Sequence, residues 1–251
     1  MKKVLVPLPD YGFDPTEAAI PWLLLTAKGY DVQFATPGGY SGMADLRILR
    51  GEQLGMWKWL LQAREDAVMA YHRMSNSESF CTPLKYTQIR PEEYDALLLP
   101  GGHDKGVKVY LESSLLQEVV AHFFMAQKPV GAICHGVVLA ARSKDPRTGL
   151  SVLHSYKTTA LLASQERMAY HLTRWWLKDY YLTYPVTVQA EVTAALGDPA
   201  QFLSGPLPLA RDDAQHPERG FTVRDRHYLS ARWPGDAYRF STEFIHMLEH
   251  A

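Results

Sequence analysis

The sequence predicts an α/β fold in which a mostly parallel sheet is sandwiched by helices. Two observations predict it. Short apolar runs such as KVLVPL and DALLLP are the mark of strands buried on both faces. Between them lie longer helix-like segments, and connections of that length suit the crossovers that join parallel strands.

The elements follow in order. KVLVPL is a first strand, and DPTEAAIPWLLLTAKG reads as a helix starting near Asp14, with Pro15 tolerated in its first turn and Gly29 as the stop. YDVQFATPGG is a second strand running into a turn. Residues 41–90 are less regular and read as an insertion; GMWKWLLQAREDAVMAYHRM gives a helix there, followed by the polar loop SNSES. DALLLPGG returns as a strand, SSLLQEVVAHFFMAQ as a helix capped by Ser113 or Ser114, and KPVGAIC as a strand that feeds another helix. YKTTALLA is read as one further strand, over 158–163, and SQERMAYHLTRWWLKDYY as the helix after it. Residues 183–220, rich in Pro, Gly and Asp, form a long excursion. The remainder, from GFTVRDRHYLSARW onward, closes as strand, turn, strand and helix. One domain over 1–251 is expected, with insertions near 41–90 and 183–220.

Composition narrows the function classes. A formal net charge of −1, with no basic patch or acidic tail, argues against nucleic acid and anionic membrane as partners. The first apolar run is too short for a signal-peptide core, and no window approaches the length of a membrane span. Two cysteines, Cys81 and Cys134, make no disulfide framework and favour a reducing compartment, so a cytoplasmic location is expected.

The stretch KPVGAICHGVVLAARS carries the chemistry. In an open α/β sheet, sites form beyond the carboxyl ends of the strands, and Cys134 falls at such an end. Ala132, Ile133, Cys134, His135 and Gly136 fit a nucleophile elbow, whose sharp turn demands small residues two before and two after the nucleophile. A thiol at a helix N-terminus is also drawn toward thiolate by the free N–H groups there. Cys81, in ESFCTPL, has none of these features and is read as inert.

AICHG, with PGGHD about thirty residues upstream and the early DPTEAAIPW, resembles the DJ-1/PfpI superfamily, relatives of the class I glutamine amidotransferases, and within it the Hsp31-like branch. The resemblance implies a flavodoxin-like sheet with a small inserted cap. It places a carboxyl at Glu17 against Cys134. It also implies a third acid beyond His135, for which Glu166 is the candidate; Glu166 reads equally as a capping-box residue with Ser164 as cap. Gly101 and Gly102, with the His135 N–H, become oxyanion donors, and His103 and Asp104 pocket-lining residues. His216-Pro217-Glu218 imitates the His-x-Glu of amidotransferases but reads as a surface loop. Arg232 is assigned no chemistry.

The activity implied is that of a glutathione-independent glyoxalase, converting methylglyoxal, a small carbonyl substrate, to lactate. The alternatives are a holdase chaperone or cysteine redox sensor without turnover, and an amidase or peptidase-type hydrolase. A homodimer is implied. No cofactor is expected, since no G-x-G-x-x-G follows the first strand, and no metal, since His103 and Asp104 lack identifiable partner ligands.

Overall fold

The computed structural model describes residues 1–250. Its strands are β1 (Lys3–Pro7), β2 (Tyr11–Phe13), β3 (Asp31–Thr36), β4 (Met43–Ala44), β5 (Leu84–Lys85), β6 (Ala96–Leu99), β7 (Val130–Ile133), β8 (Thr222–Asp225) and β9 (Tyr228–Ala231). Seven of them form one sheet in the order β5-β3-β1-β6-β7-β9-β8, and β2 pairs with β4 in a separate ribbon. All neighbours in the large sheet are parallel except β8 and β9. Taken alone, β3-β1-β6-β7-β9 has the 2-1-3-4-5 order of flavodoxin-like folds, in which the functional crevice opens at the carboxyl ends of the strands.

Local chemistry explains the elements that position the site. Val4, Leu5, Val6 and Leu97, Leu98, Leu99 are buried, as strands covered on both faces require. The helix Pro15–Ala27 starts where the sequence places it: the Asp14 side chain accepts from the N–H groups of Thr16 and Glu17, at 2.8 and 3.2 Å. Pro21 lies inside this helix. Lacking an N–H, it leaves the Glu17 carbonyl without its usual i+4 donor. Ser113 caps the helix Ser114–Met125 through the N–H of Leu116. The helix Ala237–Glu249 packs on β7 at Gly131, where a Cβ would come within 2.9 Å of both Phe240 and Phe244. That glycine is required by close approach.

The structure differs from the sequence reading in three segments. Residues 158–163 form no strand; Thr158 makes only an isolated bridge to Phe202, and the last parallel strand of the sheet is β9. The apolar run is buried all the same, held at its start by side chains of β9. The N–H of Thr159 donates to Ser230 Oγ at 2.9 Å, and Thr158 Oγ1 bonds the Tyr228 hydroxyl at 3.0 Å. Side-chain acceptors thus replace the ladder that periodicity suggested. The aromatic-rich helix breaks into a 3-10 turn at Gly55–Trp57, a short helix Lys58–Leu61 and the helix Glu65–Ser75, with Gln62 extended between the last two. Within 183–220, Thr187 caps a further helix, Val188–Ala195.

Leu54 from the first insertion packs with Ala169, Leu177, Tyr180 and Tyr181 in an apolar cluster of its own, apart from the main core. This cluster joins the insertion to the helix Ala163–Leu177 beside the carboxyl ends of the strands.

Candidate active site

β7 ends at Ile133, Cys134 adopts φ +58°, and the helix Gly136–Arg142 begins two residues later. A non-glycine residue in the left-handed region is uncommon, and here it makes the sharp strand-to-helix turn of an elbow. The Cys134 N–H donates to the Ala231 carbonyl at 3.1 Å and fixes the turn to β9. A Cβ at Gly136 would stand 2.0 Å from the Leu99 carbonyl oxygen, so the position admits only glycine.

Glu17 reaches this turn from the first helix. It is fully buried, and its Oε2 accepts the N–H of Gly101 at 2.8 Å, while Oε1 has no hydrogen-bond partner. A Cβ at Gly101 would lie 2.6 Å from the His135 backbone nitrogen, 3.0 Å from Glu17 Oε2 and 3.1 Å from Cys134 Cβ. Three predicted residues therefore converge on one glycine. Because the Gly101 N–H is committed to Glu17, it is not a free oxyanion donor. Gly102 lies against the chain at Gly12 and Phe13, where a Cβ would come 2.4 Å from the Gly12 carbonyl oxygen.

Burial favours the neutral form of every group here. The Glu17 carboxyl is pushed well up, first by desolvation and then by Asp14. The Cys134 thiol is also pushed well up, by desolvation and then by the Glu17 and Asp14 charges. This is opposite to the direction a helix terminus alone would give, because the loss of water outweighs the turn's N–H groups. His135 is driven well down by burial and then by His103, and burial lowers His103 to about 4. Burial thus favours a thiol, a protonated carboxyl and neutral imidazoles in this cluster.

His135 Nδ1 lies 3.6 Å from Cys134 Sγ, and its Nε2 has no partner. Its ring meets that of His103 edge-on with centroids 4.9 Å apart, and His103 meets Tyr181 at 5.1 Å. The Thr183 hydroxyl anchors His103 by donating to its carbonyl at 2.8 Å. One atom each of His103, Cys134 and His135 lies within 4.8 Å of the others, a set of donors able to hold a metal ion.

Two predicted residues stand elsewhere. Glu166 accepts the N–H of Val188 at 3.0 Å, at the N-terminus of the helix Val188–Ala195, and no hydrogen bond joins it to His135. Burial raises its carboxyl to about 7. Asp104 accepts the N–H of Gly106 at 2.8 Å and pairs with Arg47 at 3.3 Å, so it caps a turn instead of lining the pocket. His216 and Glu218 form a pair 3.1 Å apart on the surface.

His103 does face a cavity, of about 180 Å³, shared with Asp14, Tyr181, Arg211 and Trp233. Sequence reasoning assigned these four no site role. Asp14 carried a helix-cap signal and Arg211 lies in the irregular excursion, so neither periodicity nor motif marked them. Arg211 ties that excursion to the insertion by donating to the Leu60 and Gln62 carbonyls at 2.5 and 2.8 Å. Cys134, only 1 % exposed, does not line this cavity, although one of its neighbours in the cluster, His103, does.

An open flavodoxin-like sheet with a cysteine elbow and a buried carboxyl beside it defines the class of protein. Residues 8–206 match the family described as ThiJ/PfpI family-like. The chain belongs to this family, in the DJ-1/PfpI superfamily. It is 23% identical over 170 residues to glyoxalase 3 of Candida albicans, covering 63% of this chain and 68% of that protein. It is 24% identical over 166 residues to the deglycase PfpI of Pyrococcus furiosus, covering 66% and 69%. The crystal structure of glyoxalase III from Candida albicans superposes with a TM-score of 0.70 at 21% identity, covering 100% of this chain and 98% of that one.

Proposed function

We propose that this chain is a cysteine-dependent enzyme acting on small α-oxoaldehydes, converting methylglyoxal to lactate without glutathione. The convergence of Cys134, Glu17 and His135 on Gly101 is the observation that carries this reading. The names of the relatives support the substrate class. On this reading Glu17 starts protonated and His135 neutral, so an acid and a base work in one cycle. His135 Nδ1 takes the thiol proton as sulfur adds to the aldehyde carbon. Glu17 gives its proton to the aldehyde oxygen, and a hemithioacetal results. The Glu17 carboxylate then removes the proton from that carbon while the imidazolium protonates the neighbouring ketone oxygen, giving an enediol. Glu17 returns its proton to the second carbon, and His135 takes the proton of the first hydroxyl. The lactoyl thioester so formed is hydrolysed: the Glu17 carboxylate takes a proton from the attacking water, the imidazolium returns its proton to the departing sulfur, and lactic acid is released with the thiol, the carboxyl and the neutral imidazole restored. The net change is methylglyoxal plus water to lactic acid, with no external oxidant. Gly102 is the donor of the glycine pair left for the transient oxyanion.

The test is consumption of methylglyoxal by purified protein without glutathione, beside Cys134→Ala. Turnover no higher than that variant's would end the reading and leave the sensor or chaperone alternatives. The reading extends to a cytoplasmic homodimer, with the largely exposed Trp59 and Trp175 as candidate contacts. Light scattering that shows a monomer at micromolar concentration would remove the dimer.

A further inference from the structure

We propose that His103, Cys134 and His135 form a binding site for one zinc-class divalent cation, with a fourth position open toward the cavity beside His103. The sequence offered no such set, because His103 stands at the end of one strand and Cys134-His135 at the end of the next. The parallel pairing of β6 with β7 brings these two ends together.

Three observations carry the inference. First, one donor atom from each residue lies within 4.8 Å of the others. In a tetrahedral site with Zn–S about 2.3 Å and Zn–N about 2.0 Å, donor atoms stand about 3.6 Å apart. The separation of Cys134 Sγ from His135 Nδ1 is already 3.6 Å, so a small closure of His103 completes the set. Second, His103 Nδ1 is buried without a hydrogen-bond partner, and the His135 Nδ1 that would serve as donor meets only the Cys134 sulfur. Buried polar atoms are seldom left so. Third, His103 also lines the cavity of about 180 Å³, which supplies both an entry path and room for a water as fourth ligand. Two nitrogens and a sulfur suit zinc or its analogue cobalt(II), and oxygen-seeking magnesium and calcium are disfavoured. Binding replaces the S–H bond by a metal–sulfur bond and releases one proton to solvent, with no change of oxidation state.

Occupancy would withdraw the Cys134 sulfur from carbonyl addition. Inhibition by zinc therefore rests on the proposed activity, whereas binding does not. The test is anaerobic titration of the folded protein with cobalt(II), followed by optical spectroscopy. We expect one equivalent to bind with a sulfur-to-cobalt charge-transfer band and the intense ligand-field bands of four-coordination. Cys134→Ala should abolish the charge-transfer band, and Cys81→Ser should leave it intact. His103→Ala and His103→Gln, each checked for native circular dichroism, should weaken binding more than about 10-fold. Absence of the charge-transfer band in wild type, its persistence in Cys134→Ala, or equal affinity in both folded His103 variants would overturn the site. A positive titration without methylglyoxal turnover keeps the metal site and removes the enzyme; turnover without the band does the reverse.

Discussion

The N–H of Gly101 donates to Glu17 Oε2 at 2.8 Å, and this bond ties the first helix to the loop after β6, beside the elbow. Glu17→Gln keeps an acceptor for that N–H but cannot exchange protons. The variant should melt within a few degrees of wild type and lose about 10²- to 10⁴-fold in kcat on methylglyoxal, the usual worth of a positioned acid or base. A Gln variant with undiminished kcat would remove Glu17 from the proton path.

Cys81 is exposed and Cys134 is sealed with its thiol pushed up. Contrary to the sequence reading of Cys134 as the reactive thiol and Cys81 as inert, limiting iodoacetamide on the folded protein should therefore label Cys81 first, with Cys134 catching up only when denaturant opens the core. Peptide mass spectrometry reads the order. Faster labelling of Cys134 would mean that a thiolate stands at the elbow at rest, as a helix terminus acting alone would produce.

Glu166 gives a pH signature. Its ordinary value of 4.5 rises to about 7 in the fold, so the native state holds a proton that the unfolded chain gives up. The stability tied to that proton is whole below pH 4.5 and is lost as pH climbs through about 7, at most about 3 kcal/mol for a shift of this size. Glu166→Gln, which still accepts from Val188, should flatten the fall in denaturation free energy across this window. Asp212, also raised to about 7 by burial, supplies a residual slope. An unchanged slope would remove Glu166 as its source. Because Glu166 does not touch His135, kcat should change by less than about 3-fold, as for Glu218→Gln.

Arg232 and Asp236 form a buried pair, with Nε and NH2 of the arginine donating to the two carboxylate oxygens at 2.9 Å each. Arg232→Met leaves Asp236 buried without its cation and should cost about 3–5 kcal/mol in urea denaturation. Replacing both by apolar residues of similar volume should recover much of that loss. A single variant as stable as wild type would show that the carboxyl is protonated in the fold.

These residues show how far the sequence carries. The sheet was legible because strands buried on both faces are apolar throughout, and β1, β6 and β7 are such runs. Cys134 and Gly136 were legible because an elbow dictates its neighbours within five residues. Glu166 was not: it lies in a helical first turn, but the helix begins after Leu162, with Gln165 accepting the Leu162 N–H, so Ser164 is no cap, and the partner of Glu166 is Val188 of another helix, a contact that no local spacing encodes. The strand expected at 158–163 failed for a related reason, since burial makes a run apolar whether or not it has a ladder to join. The direction of the thiol's shift was misjudged because the helix terminus is visible in sequence and the loss of solvent is not.

Pro21 gives the first helix a weak point at a particular place. The hydrogen bond it cannot donate is the one that would hold the Glu17 carbonyl, so the helix is least braced at the residue whose side chain meets the thiol. The Gly101 N–H holds the side chain of Glu17 at the same place, so the rung lost from the backbone ladder is matched by a tie from the neighbouring loop. A single imino acid thus shifts the bracing of this residue from its own helix to the loop after β6.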